Sequence, residues 1–282
     1  MNDDNRLLTE AKEDADVIRT LAGAGGREFA LFLGAGCSVT SGVMAAGGLI
    51  AQWKPQYCHS RRVTPAQMEE WLAEQPNPYS ALFEALFDDA RQRQQFLMPL
   101  IEAGEPGWGY LYLATLIAQQ NRFNVIFTTN FDDLVNDALS EFANYNPIVC
   151  AADSQVSTIS AMTDRAKVIK LHGDYLFEQL KNTEAELARL DPNMEAKLRQ
   201  FASLCGLVIL GYSGLDRSIM DVLGALLAQE ENFPRGVWWG VRRAEAEISA
   251  DVAKLARAHP GRFRLFLLDG FDEFMADLHA AL

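Results

Sequence analysis

No apolar run in this 282-residue chain approaches the ~18–20 residues that a membrane span requires. Cysteine is scarce. Cys37, Cys58, Cys150 and Cys205 are scattered without a C-x-x-C pair, which argues against a disulfide framework or a cysteine-built zinc site. All four are expected to be small buried hydrophobes. Basic charge is short as well: 25 Lys and Arg stand against 38 Asp and Glu, a formal charge of −13. Such a balance repels phosphate backbones, so no direct nucleic-acid binding is expected. The one basic cluster, His59-Ser-Arg-Arg62, reads as a solvated surface turn. The start, Met1-Asn-Asp-Asp-Asn5, is polar and acidic and does not lead into an apolar segment. It reads as lacking a secretory signal, and a cytoplasmic location is expected. Repeats and low-complexity segments are missing too.

What remains is 49% hydrophobic and 22% charged, ordinary for a globular domain. Short continuous apolar runs predict buried parallel strands at residues 29–33, 125–129, 147–150, 167–171, 207–210, 237–239 and 263–267. Helical patterns fall between them, at residues 1–23, 43–53 (stopping before Pro55), 65–73 after a Thr64 cap, 80–97 and 109–120. Further ones fall at 131–142, 182–204 (interrupted at Asp191-Pro192), 215–229, 244–258 and 271–280. The alternation predicts an α/β fold, a Rossmann-like parallel sheet with helices on both faces. An N-terminal helix would occupy residues 1–26, and the domain proper 27–282 would carry a helical insertion at about 55–121. That insertion is the expected lid or oligomer surface. Trp238 and Trp239 are read as core, and His59, His259 and His279 as structural.

In a parallel sheet the ligand sits beyond the carboxyl ends of the strands. Four predicted strand ends carry polar, turn-prone groups: Gly34-Ala-Gly-Cys-Ser38, Thr128-Thr-Asn-Phe-Asp132, His172-Gly-Asp174 and Gly211-Tyr-Ser-Gly-Leu-Asp216. The first is a glycine turn without full G-x-G-x-x-G spacing. If Ser38 caps the next helix, that turn favours an anion such as a pyrophosphate. Gly211-Tyr-Ser-Gly-Leu lacks the second glycine of a G-x-S-x-G nucleophile elbow, which sets a serine hydrolase aside.

Together, Gly-Ala-Gly-Cys-Ser, Thr-Thr-Asn-Phe-Asp, Leu-His-Gly and Gly-Tyr-Ser resemble, in order, the motifs of the sirtuin NAD-binding fold. More closely, the series is similar to the sirtuin-like NADase domains of bacterial anti-phage defence proteins, where G-Y-S-x-x-D replaces G-T-S. The chain departs from protein-deacylating sirtuins in two ways. It has no four-cysteine zinc module, and Gly42-Val-Met-Ala-Ala46 follows the first turn without the Asp and Arg of the deacylase segment. The resemblance therefore implies cleavage of NAD as substrate, with no metal, rather than deacylation of lysine. It further implies a homo-oligomer gated by a separate partner, a HerA-type ATPase or an Argonaute, in abortive-infection defence. A non-catalytic module sensing NAD or ADP-ribose is the alternative, with a protein deacylase third.

Under that resemblance Asn130 holds the attacking water or a ribose hydroxyl, His172 accepts a proton, and Asp132 orients groups near the nicotinamide ribose or favours developing positive charge. Gly34, Ala35, Gly36 and Ser38 bind the pyrophosphate, with Thr129 beside them. Ser213 and Asp216 contact the adenosine ribose and close the site, Gly211 allows close approach, and Tyr212 packs. Each has a plainer counterpart. Asn130 and Asp132 could cap the helix that follows, His172 could be a satisfied structural histidine, and Asp174 could be a turn residue or cap.

Overall fold

The computed structural model describes residues 3–87, 89–161, 163–173, 189–244 and 247–282. Among them, eight strands form one fully parallel sheet. They are β1 (Lys12–Glu13), β2 (Phe29–Leu33), β3 (Val125–Thr128), β4 (Ile148–Cys150), β5 (Lys167–Lys170), β6 (Gly206–Leu210), β7 (Val237–Arg242) and β8 (Phe263–Leu268). Their order across the sheet is β1-β8-β7-β6-β2-β3-β5-β4.

The apolar runs are continuous because both faces of the sheet are covered. In β2 the side chains of Ala30 and Phe32 enter one core, while Phe29, Leu31 and Leu33 enter the other. The first core is closed by α9 (Asp153–Val156), α10 (Pro192–Ala202), α11 (Arg217–Leu227) and α12 (Ala250–Ala258). The second is closed by α2 (Asp14–Gly23), α7 (Trp108–Gln120), α8 (Leu134–Ala143) and α13 (Phe271–Ala281). A third, smaller core lies among α3 (Ala46–Arg61), α4 (Pro65–Ala73), α5 (Pro78–Leu86) and α6 (Ala90–Glu102).

Several sequence expectations change here. The N-terminal segment is α1 (Asp3–Thr9), then β1, then α2 rather than one helix. Lys12 and Glu13 pair with Phe266 and Leu267 through backbone alone, and two exposed polar residues carry no strand pattern. Helix α3 runs through Pro55 instead of stopping before it. Trp53 stacks on Phe83 and Tyr57 on Trp71, with ring centroids 4.9 and 4.5 Å apart. Burying two such rings is worth about 4–6 kcal/mol each, more than the ~3 kcal/mol cost of an interior proline.

The segment predicted as one helix over 80–97 is two, because Asn77 and Asp89 each cap a fresh start, accepting from the amides of Ser80 and Gln92. The insertion is also smaller than expected, since α7 packs on the sheet and only α3–α6 share the third core. Of the predicted helix over 182–204, the structure gives α10, with Pro192 in its first turn. Residues 182–188 of that helix, Asp174, and residues 245–246 lie outside the described residues. Cys58 is half-buried, whereas Cys37, Cys150 and Cys205 are buried as expected. No described helix is long and apolar enough to cross a membrane.

Candidate active site

After β2 the chain builds β3, β4 and β5 on one side, then crosses over to build β6, β7 and β8 on the other. The crevice outside the carboxyl ends at such a reversal is where ligands bind in open α/β sheets. A cleft of about 970 Å³ opens there. The strand-end turns form one wall, and Leu49, Tyr79, Leu97 and Ile101 from the α3–α6 unit form the other. Phe131, just after β3, packs into the core of that unit and ties it to the sheet.

The glycine turns serve each other first. A Cβ on Gly34 would lie 2.5 Å from the Gly211 carbonyl oxygen, and one on Gly211 would lie 2.5 Å from the Cys37 nitrogen. Gly211 also sits at φ +63°, a conformation that favours glycine. The amides of Gly34 and Gly36 donate to the carbonyls of Leu210 (2.9 Å) and Gly211 (2.8 Å). This corrects the expectation that they are offered to a pyrophosphate. Ser38 caps no helix: it closes a short 3₁₀ turn (Ala35–Ser38), and α3 begins only at Ala46 behind Ala45. Ala35 and Gly36 line the cleft, while Gly34 and Ser38 stand behind its wall.

Ser38 is fully buried and its hydroxyl is saturated. It donates to Asp132 Oδ2 at 2.8 Å, accepts from Asn130 Nδ2 at 3.0 Å, and meets the Tyr110 hydroxyl at 2.9 Å. Because its single proton goes to Asp132, Tyr110 must be the donor in that last bond. Burial and the Asp132 charge push the Tyr110 hydroxyl well up, which keeps that proton in place. Asn130 Nδ2 also donates to the Gly34 carbonyl at 3.2 Å, and its backbone amide donates to Thr128 Oγ1 at 2.9 Å. The amide is thereby fixed in one orientation. Its Oδ1 is buried and has no hydrogen-bond partner among the described residues. A capping role for Asn130 is not what the structure places there. Asp132 does reach the start of α8, accepting from the Leu134 amide at 3.4 Å.

Burial raises the Asp132 carboxyl above its ordinary range, against the Ser38 hydrogen bond and the nearby Lys170 charge. Lys170, itself fully buried, donates to the Phe131 carbonyl at 2.9 Å and to Asp133 at 2.8 Å.

Across the cleft His172 Nε2 is bonded to Asp216 Oδ2. The imidazole is 6% exposed and the carboxylate 10%. The other oxygen, Oδ1, accepts from the Ser218 amide at 2.9 Å and its hydroxyl at 2.8 Å, so Asp216 is the N-cap of α11. Burial alone would raise Asp216. The hydrogen bond and charge of His172, with both Ser218 donors, outweigh it and hold the carboxyl below its usual range. His172 Nδ1 is buried with no partner among the described residues.

Comparison with known proteins fits this arrangement. Residues 124–260 match the family described as SIR2-like domain. That span is just under half of the chain. The matched span holds Asn130, Asp132, His172, Gly211 and Asp216, while the first glycine turn precedes it. Solved structures reach further. One described as a Sir2 homolog–NAD complex is 16% identical, with a TM-score of 0.55 and 96% of each chain covered. Another, a Sir2 homologue mutant with ADP-ribose, is 14% identical with a TM-score of 0.55, over 94% of this chain and 95% of that one. A Sir2 mutant with a p53 peptide and NAD is 12% identical with a TM-score of 0.52, over 95% and 98%. At these identities the likeness establishes the fold. No curated protein matches in sequence.

The cleft gathers Ala35, Gly36, Thr129, Asn130, Asp132, His172, Gly211, Ser213 and Asp216 from four strand ends. Tyr212 packs between Phe32 and Trp239, with ring centroids 4.9 and 5.5 Å away. Trp238 and Trp239 are buried as expected, though Trp239 also borders the cleft. The sequence reading missed Tyr110. It shares a helical stripe with Leu113, Ala114 and Ile117, and an aromatic there reads as core, which it also is.

Proposed function

We propose that this chain is an NAD⁺ glycohydrolase, releasing nicotinamide and ADP-ribose. The observation that carries the reading is the pair of cleft-lining residues, Asn130 and His172, whose buried Oδ1 and Nδ1 have no hydrogen-bond partner among the described residues. Buried polar atoms are rarely left unpaired unless something else satisfies them. A nucleotide ribose and an attacking water supply such donors. The cleft volume falls at the upper end of the ~300–1,000 Å³ typical of small-molecule sites. The fold likeness to Sir2 structures described as NAD and ADP-ribose complexes supports the same reading.

Cleavage of the nicotinamide–ribose bond passes through an oxocarbenium-like state. Its leaving group is already cationic, so the demands on the protein are orientation, exclusion of water and placement of the nucleophile. Asn130 supplies a fixed acceptor for a water or ribose hydroxyl. His172 supplies a base, and Asp132 stands behind Asn130 through Ser38. Ala35, Gly36, Thr129 and Gly211 would border the phosphates, and Ser213 the adenosine ribose.

An unregulated activity of this kind would exhaust the cell's own NAD. We therefore retain, on the resemblance alone, a cytoplasmic homo-oligomer gated by a HerA-type ATPase or Argonaute partner in anti-phage defence. The reading is tested by intracellular NAD during expression with and without such a partner. Wild type should deplete it, and Asn130→Ala and His172→Ala should each spare it. Equal NAD in all three strains, under conditions where the proteins accumulate, would remove the hydrolase and favour a sensing module.

A further inference from the structure

His172 and Asp216 come from turns after β5 and β6, separated by 44 positions in sequence, yet their side chains are bonded and nearly fully buried. The carboxylate is held from behind. Its Oδ1 takes both the amide and the hydroxyl of Ser218, and it lies at the first turn of α11, where a negative charge is favoured. One oxygen is thus committed to the helix and the other to the imidazole. On the far side of the ring, Nδ1 faces no protein partner among the described residues.

We infer that Asp216 is a positioning residue for His172, and not a contact to the adenosine ribose. A carboxylate only accepts, so it fixes the neutral ring with its proton on Nε2. Nδ1 is then a bare lone pair, the form a general base requires. The basic role of His172 rests on the proposed NAD cleavage, whereas the tautomer does not.

The anchoring makes Asp216→Asn a sharp test. Ser218 offers two donors to Oδ1, so the asparagine carbonyl must stay on that side and continue to cap α11. Its NH₂ then faces His172 Nε2 and donates to it. The ring proton is forced to Nδ1, and the base becomes a donor. The same exchange of carboxylate for amide produces a wrong-tautomer histidine in the serine-protease triad. Volume and cap are preserved, so the variant is expected to fold.

The experiment is long-range ¹H–¹⁵N correlation of the histidine side chains in the ligand-free protein, at a pH where the rings are neutral. His172→Gln assigns the signal. Wild type should show the Nε2–H tautomer and Asp216→Asn the Nδ1–H tautomer, with kcat for NAD lowered on the order of 100-fold or more and KM little changed. An Nε2–H ring retained in Asp216→Asn, or kcat within about threefold of wild type, would overturn the inference. If the tautomer inverts but wild type cleaves no NAD, the positioning role stands and the NAD reading fails.

Discussion

Two buried carboxylates flank this cleft, and their surroundings push them in opposite directions. Asp132 follows β3 and faces a neutral hydroxyl, so burial dominates and its carboxyl is raised. Asp216 follows β6 and faces an imidazole and a helix N-terminus, so burial is outweighed and its carboxyl is lowered. Environments that separate two acids in this way mark out different roles at one site. Through Ser38, Asp132 orients an amide that never titrates. Asp216 bonds directly to an imidazole. The cleft therefore has a holding side, where Asp132 and Ser38 fix the Asn130 amide, and a side where a carboxylate meets an imidazole.

The comparison breaks most severely at Ser38. Ser38→Ala removes the acceptor of Asn130 Nδ2 and Tyr110 and the donor to Asp132 together. Leaving buried groups unpaired costs about 1–3 kcal/mol each, and a freed Asn130 should lower NAD turnover on the order of 100-fold. Urea unfolding and steady-state rates check both effects. A fully active, fully stable variant would mean that the network does not orient the amide.

The pH dependence of stability separates the two acids, because their carboxyls are shifted in opposite directions. The folded value of Asp216 is lowered. Its contribution is complete above its unfolded value near ~3.9 and is lost as pH falls through the folded one. Asp132 runs the other way, because its folded value is raised. Its contribution is complete below about pH 3.9 and is lost as pH rises through the folded value. As pH rises, Asp216→Asn should lose stability relative to wild type up to about pH 3.9, and Asp132→Asn should gain it from about pH 3.9 upward. Unfolding free energies across both ranges decide the matter, and the same slope for both variants would contradict the opposed environments.

The smallest effect belongs to Tyr110→Phe. Only one donor to Ser38 is lost, while Asn130 and Asp132 keep their bonds. A loss of about 1 kcal/mol and turnover within roughly tenfold of wild type are expected from thermal unfolding and kinetics. A collapse of activity equal to that of Ser38→Ala would make Tyr110 part of the holding side on equal terms.

How much of this was legible beforehand follows from what a pattern can record. The run from Phe29 to Leu33 was readable because a strand buried on both faces has to be apolar throughout. The four polar strand ends were readable because a parallel sheet brings such ends together. The purpose of the glycines was not. Gly34 and Gly211 look like ligand-approach glycines in sequence, and only the fold shows their backbones packed against each other. Pro55 marked a helix end by local rule, and aromatic packing across 26 to 30 positions overrode it. Ser38, Tyr110 and Asp132 meet over separations of 72 and 94 residues, so their shared hydroxyl left no mark on any short window. The same holds for His172 and Asp216, each of which was picked out, but for separate duties.

One assay tests NAD⁺ cleavage most directly. Purified chain is incubated with NAD⁺, alone and with candidate partners, and the products are separated by chromatography. Equal amounts of nicotinamide and ADP-ribose, released by wild type and absent with Asn130→Ala and His172→Ala, are the predicted result. NAD⁺ recovered intact in every mixture while still binding the chain would contradict it, leaving a cleft that recognises the dinucleotide without cutting it.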